Sequence, residues 1–348
     1  MGRKRILVGV LNWGLGHATR SVPVIRALKE RDFEPVIASD GTAGKFLRQY
    51  FPQLPYIELP GWRVVYPRMA GLTPVSLAMQ SLSWYRLYKR ELELTQKIIK
   101  EYRIEGIISD NRPGIYSQAV PSVYITHQLY VRAGMFTSVV SAMHRKRYEK
   151  YDEIWVPDRP EPPYLSGILG HPEKKSPKIK YIGLLSRFNY EPEPDVKDTE
   201  YLIVLSGPEK QRTMLENYLL TSHRLFGTKV TLVRGTSKPV EKQVPSQWKI
   251  IDFADTLTLK NLILRAEKLI LRSGYSSIMD LVALRKKAVL IPTPGQKEQE
   301  YLAEFLEKQK MFPSVAQQNI NKIPEIHWQN YKLPEIPVFR PDFKIFSS

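Results

Sequence analysis

Apolar residues near the start of the chain fall in short unbroken runs separated by amphipathic stretches. "RILVGV" (5–10) and "FEPVIAS" (33–39) are apolar at nearly every position, the pattern of strands buried on both faces. "TRSVPVIRALKER" (19–31) and "TAGKFLRQY" (42–50) space their apolar residues at helical intervals. Strand, helix, strand, helix predicts parallel βαβ units. Further short strands are expected at "IEGIIS", "PSVYIT" and "DEIWVP". From Pro157 to Lys178 proline and charge dominate and no period survives, which reads as a linker.

The alternation restarts after "IKYIGLLSRF". "TEYLIVLS", "TKVTLVRG", "QWKIIDF", "AEKLILRS" and "KAVLIPT" are strand candidates, separated by helical patterns at "KQRTMLENYLLTS", "LTLKNLILRA", "YSSIMDLVAL" and "EQEYLAEFLEKQ". Beyond about Asn319 the chain is Pro-rich and aperiodic, an irregular tail expected on the surface. The fold class is therefore α/β, with two Rossmann-like doubly wound domains facing across a cleft. The division is 1–157, a linker at 158–180, a second domain at 181–325 and a tail at 326–348. Ligands of such sheets bind beyond the carboxyl ends of the strands, here in the cleft between domains.

Composition narrows the function. A chain of 348 residues, 43% hydrophobic and 25% charged, has the make-up of a soluble protein with two cores. No apolar run approaches the ~18 residues of a membrane span. Met-Gly-Arg-Lys-Arg leads straight into a strand, so no signal peptide is read and a cytoplasmic location is expected. With no cysteine, disulfides and thiolate chemistry are excluded. A net charge of +17 points to an anionic partner: nucleic acid, a membrane surface or a phosphate-bearing substrate.

Two glycine turns carry the candidate chemistry. In "NWGLGHATR", Gly14 and Gly16 resemble half of a dinucleotide fingerprint, with Asp40 ending the second strand where a ribose-binding acid would stand, but Thr19 occupies the third glycine position. His17 opens the helix there. A neutral imidazole at a helix N-terminus is suited to take a proton from a hydroxyl nucleophile, although a histidine in such a turn can also simply cap or pack. Polar residues end two more strands, Asp110, Asn111 and Arg112 after "IIS" and His127 and Gln128 after "VYIT". Asp110 is placed either to orient His17 or to act as the base itself. In the second half, Arg272-Ser273-Gly274 turns a strand into a helix that begins with Ser276 and Ser277, a helix start suited to a diphosphate.

These residues, with Asp280 one to two turns on and Glu298-Gln299 after the next strand, resemble the GT-B glycosyltransferases, specifically glycosyltransferase family 28 and its MurG-type N-acetylglucosaminyltransferases. The resemblance implies that the N-terminal domain binds the acceptor, with His17 as the general base or an acceptor-site residue; the polar strand ends add Asp110 as its catalytic partner and set Gly14, Gly16, Asn111, Arg112, His127 and Gln128 on the acceptor side, His127 to meet acceptor or phosphate. It implies that Ser273, Gly274 and Ser277 contact the diphosphate, where the helix start also offers Arg272 and Ser276, that Asp280 meets the ribose, and that Glu298 with Gln299 meets the donor sugar. Gly183-x-x-x-Arg187 is similar to an inter-domain motif that sets Arg187 near the phosphates or base. Phe253 and Ala254 lie in the stretch whose backbone reads the nucleobase. Ser206 and Gly207 occupy the family's second glycine-rich loop, with fewer glycines than the pattern has.

The implied reaction is transfer of a sugar, an N-acetylhexosamine, from a UDP-sugar to a hydroxyl acceptor by inverting displacement. Lipid-linked and cell-surface glycan precursors are the acceptor classes in view. No Asp-x-Asp motif occurs, so metal independence is expected, with no cofactor beyond the co-substrate. "GWRVVYPRMAGLTPVSLAMQSLSWYRLYKREL" (61–92) interleaves aromatic and apolar residues with cations, as an element at an anionic membrane surface does, or as a core helix with a basic outer face does. Competing readings are a nucleotide-sugar hydrolase or 2-epimerase on the same fold, a catalytically dead scaffold, and a basic nucleic-acid-binding protein, which the chain supports by charge and scattered aromatics without any module's motif.

Overall fold

The computed structural model describes residues 2–61, 74–132, 134, 137–173, 176–192, 194, 197–226 and 229–347, with 74–84 described by backbone alone. The first unit is a seven-stranded, wholly parallel sheet built from β1 (Arg5–Val10), β2 (Glu34–Ser39), β3 (Tyr56–Glu58), β4 (Ile104–Asp110), β5 (Ser122–Ile125), β6 (Glu153–Val156) and β7 (Ile179–Tyr181). Their order is β3-β2-β1-β4-β5-β6-β7. The second is a five-stranded parallel sheet of β8 (Thr199–Val204), β9 (Val230–Val233), β10 (Lys249–Ile251), β11 (Ala266–Arg272) and β12 (Val289–Ile291), ordered β10-β9-β8-β11-β12. Near-continuous apolar strands suit these sheets because helices cover both faces, and Ile6, Leu7, Val8, Leu202, Ile203 and Ile270 are all buried.

Among the described residues seven helices connect strands, α1 (Leu15–Glu30), α2 (Gly41–Tyr50), α3 (Pro74–Tyr102), α4 (Thr137–Tyr148), α5 (Glu209–Thr221), α6 (Thr256–Arg265) and α7 (Tyr275–Ala283), and α8 (Lys297–Lys308) follows the last strand. Strand order reverses between β1 and β4 in the first sheet and between β8 and β11 in the second. Register sets Val10 beside Asp110 at the first reversal. These reversals open the crevices that doubly wound sheets use for ligands.

Three expectations need correction. The stretch 158–180 is more than a linker, because Ile179–Tyr181 adds the seventh strand beside β6. The Asp158 carboxylate ties down the chain before that strand, accepting from the Ser166 backbone N–H at 2.8 Å and hydroxyl at 2.5 Å. The helix α7 starts at Tyr275, one residue before the expected pair of serines. The tail, expected on the surface, buries Phe339, Phe343 and Phe346. Those rings pack against Trp155 and Phe33 of the first unit, with Phe343 5.8 Å from Phe33 and 5.9 Å from Trp155, centroid to centroid. Gly183 makes this return possible. It sits at φ +77, and a Cβ there would run into the Pro337 carbonyl where Leu184 bridges to Val338. No helix among the described residues is long and apolar enough to cross a membrane.

Candidate functional site

The turn after β1 supplies the base candidate. Gly14 takes φ +74, a left-handed conformation that lets α1 start within a few residues of the strand end. His17 is thereby placed in the first turn of α1, over the carboxyl end of β4. Its Nδ1 lies 2.8 Å from Asp110 Oδ1. Asp110 is fully buried and further engaged by Arg20, whose Nε donates to Oδ2 at 2.7 Å and whose Nη2 donates to Oδ1, and by the Ser21 hydroxyl at 3.2 Å.

Electrostatics assign the pair. Although burial alone would raise the Asp110 carboxyl, Arg20 and His17 outweigh it and hold the group well below the usual carboxylate range. An anion buried and committed in this way is a weak proton acceptor. Burial, and then the Arg20 charge, lowers the His17 pKa, while Asp110 pulls it up by less. The imidazole is therefore neutral near pH 7. With Nδ1–H donating to Asp110, Nε2 keeps its lone pair, and the side chain is 12% exposed.

A second histidine extends the set. His127 follows β5, and its Nδ1 accepts from Arg20 Nη1 at 2.9 Å. That leaves the proton on Nε2, which donates to Glu298 Oε1 at 2.7 Å. Glu298 belongs to α8, so this contact joins the two units. Tyr275, opening α7, stacks on the His127 ring at 4.2 Å between centroids and 3° between planes. Its hydroxyl donates to the Pro157 carbonyl at 2.7 Å. Ser276 Oγ donates to the Gly16 carbonyl at 3.0 Å. A Cβ on Gly16 would stand 2.7 Å from that hydroxyl and displace it, so the glycine permits this approach between the units.

The remaining candidates divide. On the donor side, Ser206 and Gly207 are exposed at the end of β8, Gly207 at φ +96, and Phe253 is 65% exposed with Ala254 behind it. Gly274 and Ser277 are half-buried at the start of α7. Asp280 accepts from Ser186 Oγ at 2.6 Å and lies 3.6 Å from Arg187 Nε, so both its oxygens face the inter-domain segment. Gln299 Oε1 accepts from the Thr293 backbone N–H at 2.9 Å, which fixes the β12–α8 loop. On the acceptor side, Asn111 takes φ +56 and accepts from Tyr124 Oη at 2.9 Å, and Gln128 is half-buried.

Three candidates are sealed in. Arg112 is fully buried, paired with Asp40 Oδ1 at 2.7 Å and Glu91 Oε1 at 2.6 Å, and it braces the ends of β1 and β2 against α3 instead of meeting an acceptor. The same pair commits Asp40, so no ribose acid is available there. Arg272 is 1% exposed and donates from Nη1 and Nη2 to the Pro292 and Gln211 carbonyls and Gln317 Oε1, while Nε has no hydrogen-bond partner among the described residues. Burial without a carboxylate partner among the described residues pulls its pKa down to about 10. Ser273 is buried and donates to the Gln299 carbonyl. Both side chains are covered by protein in this conformation.

Sequence reasoning missed Arg20 and Tyr275. Arg20 had a signal, one helical turn after His17 in "HATR" on the same face. Tyr275 had none, because its role depends on a histidine 148 positions away in the chain (275 minus 127). No group of three or more His, Asp or Glu side chains converges as a metal site among the described residues.

Two doubly wound parallel domains meeting at the strand ends, with a carboxylate-backed histidine on one wall and a glycine turn into a helix on the other, constitute the GT-B architecture. Residues 202–327 match the glycosyltransferase family 28 C-terminal domain. An uncharacterized glycosyltransferase of Methanosarcina acetivorans is 24% identical over 326 residues, 88% of this chain and 84% of the relative. Among solved structures, CalG4, the calicheamicin glycosyltransferase, superposes with a TM-score of 0.66 at 12% identity, over 93% of this chain and 89% of its own. Acinetobacter baumannii MurG does so at 0.55 and 12% identity, over 94% and 89%. The expected resemblance to GT-B glycosyltransferases, with family 28 and MurG among them, is shown: the chain has the GT-B fold and its second half matches the family 28 C-terminal domain.

Proposed function

We propose that the protein transfers a sugar, an N-acetylhexosamine, from a UDP-sugar to a hydroxyl acceptor, with His17 as the general base. The observation that carries this reading is the His17 Nδ1 to Asp110 Oδ1 contact of 2.8 Å at the mouth of the first crevice. Nε2 takes the acceptor proton as the hydroxyl oxygen attacks the anomeric carbon, the bond to the nucleoside diphosphate breaks, and the anomeric configuration inverts. The start of α7, with Gly274, Ser276 and Ser277, meets the departing diphosphate through backbone N–H groups, hydroxyls and helix dipole. Arg272 acts from behind, its charge unbalanced by any carboxylate among the described residues. No metal takes part in this scheme.

Two inter-domain contacts must change for a donor to enter. Ser276 has to leave Gly16, and Glu298 has to leave His127 if it is to meet the donor sugar. Donor binding therefore involves opening between the units.

Acceptor delivery at an anionic membrane surface fits the outer face of α3 and α4. There Tyr85, Val139 and Met143 are exposed among Arg86, Lys89, Arg90, Arg145 and Lys146. Positions 62–73 of the stretch suspected of this role, and the side chains of 74–84, lie outside the described residues. Sedimentation with phosphatidylglycerol vesicles, lost in high salt, is the expected result; equal binding to neutral vesicles would remove the membrane role.

The primary test is a thermal-shift screen of UDP, TDP, GDP, NAD and their sugar conjugates, followed by transfer assays with the responding donor and lipid-linked acceptors. UDP conjugates should stabilise the protein and NAD should not. Rapid stoichiometric sugar release or epimer formation from the donor alone would replace transfer by hydrolysis or epimerisation. Salt-sensitive binding to nucleic acid with no nucleotide response would displace the enzyme reading.

A further inference from the structure

The guanidinium of Arg20 is only 2% exposed and contacts three ionisable side chains from two other segments and its own helix. Nε and Nη2 meet the two oxygens of Asp110, Nη1 meets His127 Nδ1 at 2.9 Å, and Nη2 lies 3.0 Å from His17 Nδ1. A planar, permanently charged fork is the one side chain able to serve a carboxylate and a ring nitrogen at fixed angles together. We propose that Arg20 is the positioning residue of this site: it holds Asp110 and His127 so that His17 keeps Nε2 free, and it links that pair to the inter-domain contact at Glu298. The catalytic meaning rests on the reading of His17 as base; the wiring does not.

The wiring follows from donor and acceptor counting. Arg20 has donors only, so His127 Nδ1, whose partner is Nη1, accepts from it; His17 Nδ1, 3.0 Å from Nη2 but 2.8 Å from Asp110 Oδ1, turns its proton to the carboxylate, to which Nη2 is itself committed. His127 is thereby fixed with its proton on Nε2, where it faces Glu298. Asp110, its charge offset by Arg20, still accepts from His17 Nδ1 but does not drive that ring to the imidazolium. The charged or titratable groups around His17 are Arg20 on its own helix, Asp110 at the end of β4, His127 after β5 and, beyond His127, Glu298 on α8. Arg20 touches the first two of the other three and reaches Glu298 through His127.

Arg20→Lys and Arg20→Gln, made in the full chain, test this by nitrogen NMR of labelled histidines, with His17→Ala and His127→Ala assigning the signals. In the parent, His17 should carry its proton on Nδ1 and His127 on Nε2. Arg20→Lys keeps a cation beside Asp110 but cannot hold both partners, so His127 should become a mixture of tautomers and kcat should fall by about 10²-fold with the donor KM little changed. Arg20→Gln removes the cation, and the His17 titration should rise by about 1–2 units, carrying the acid limb of the pH–rate profile with it. Should Arg20→Gln fail to fold, Arg20→Lys decides alone. Unchanged His127 tautomers and an unchanged kcat in Arg20→Lys overturn the proposal. If the NMR changes appear but the acid limb ignores His17, the wiring stands and the base assignment falls.

Discussion

Removing the His17 imidazole takes away the proton acceptor while leaving the α7 start in place. His17→Ala should therefore lower kcat by about 10²–10⁴-fold with the donor KM nearly unchanged, as steady-state transfer assays would report. A larger effect on KM than on kcat would make His17 a binding residue. Because burial and Arg20 depress its pKa, activity should stay level from pH 8 down to the ordinary histidine range and fall only below about 6.5. Stability follows the same sign. The unfolded chain binds a proton at each histidine near pH 6.5, whereas folded His17 resists and folded His144, buried beside Arg147, resists down to about 4. Stability should thus decline as pH falls from 6.5 to 4, before Asp110 contributes its own loss in stronger acid. His144→Gln should flatten that decline in a series of urea melts, and an identical slope would show that His144 does not govern it.

Elements with long apolar runs or a full helical period were legible in the chain, and those without were not. β1, β2, β4 and β11 are buried along most of their length, so each carries an apolar run that needs no neighbour to identify it. β3 and β7 span three residues each at opposite edges of the first sheet, too short for any period and defined only by their pairing. The tail was misread for a related reason. Phe339, Phe343 and Phe346 have no helical or strand repeat, yet each fills a space left by Trp155 or Phe33. Phe343→Ala should cost about 3–5 kcal/mol in urea denaturation. The loss should appear in the first unit, despite lying near the C-terminus, and a change below about 1 kcal/mol would mean that the tail is loosely held.

At the scale of the whole molecule, the units touch through groups that also belong to the site. His127 to Glu298, Tyr275 on His127, and Ser276 to Gly16 close the cleft. His127→Ala removes the first two together, so small-angle scattering of the unliganded variant should give a larger radius of gyration than the parent. An equal radius would show that Ser276 and the hinge side suffice to hold closure.

The sequence by itself determined two doubly wound domains, the glycine turns at their strand ends, and His17 with Asp110 as the candidate pair, because these depend on local period, turn chemistry and the position of polar residues after buried strands. Only the tertiary structure decided what those polar residues do. Arg112, Arg272 and Ser273 stand at strand ends as the pattern requires, but neighbouring elements bury them, and burial turns would-be ligands into braces. Arg20 looked like one cation among 52 Lys and Arg residues, and it is the contacts with Asp110 and His127, about 90 and 107 positions away, that place it at the centre of the site. A side chain's chemistry is written in the sequence; its dielectric surroundings and its partners come from distant segments that meet only when the chain folds.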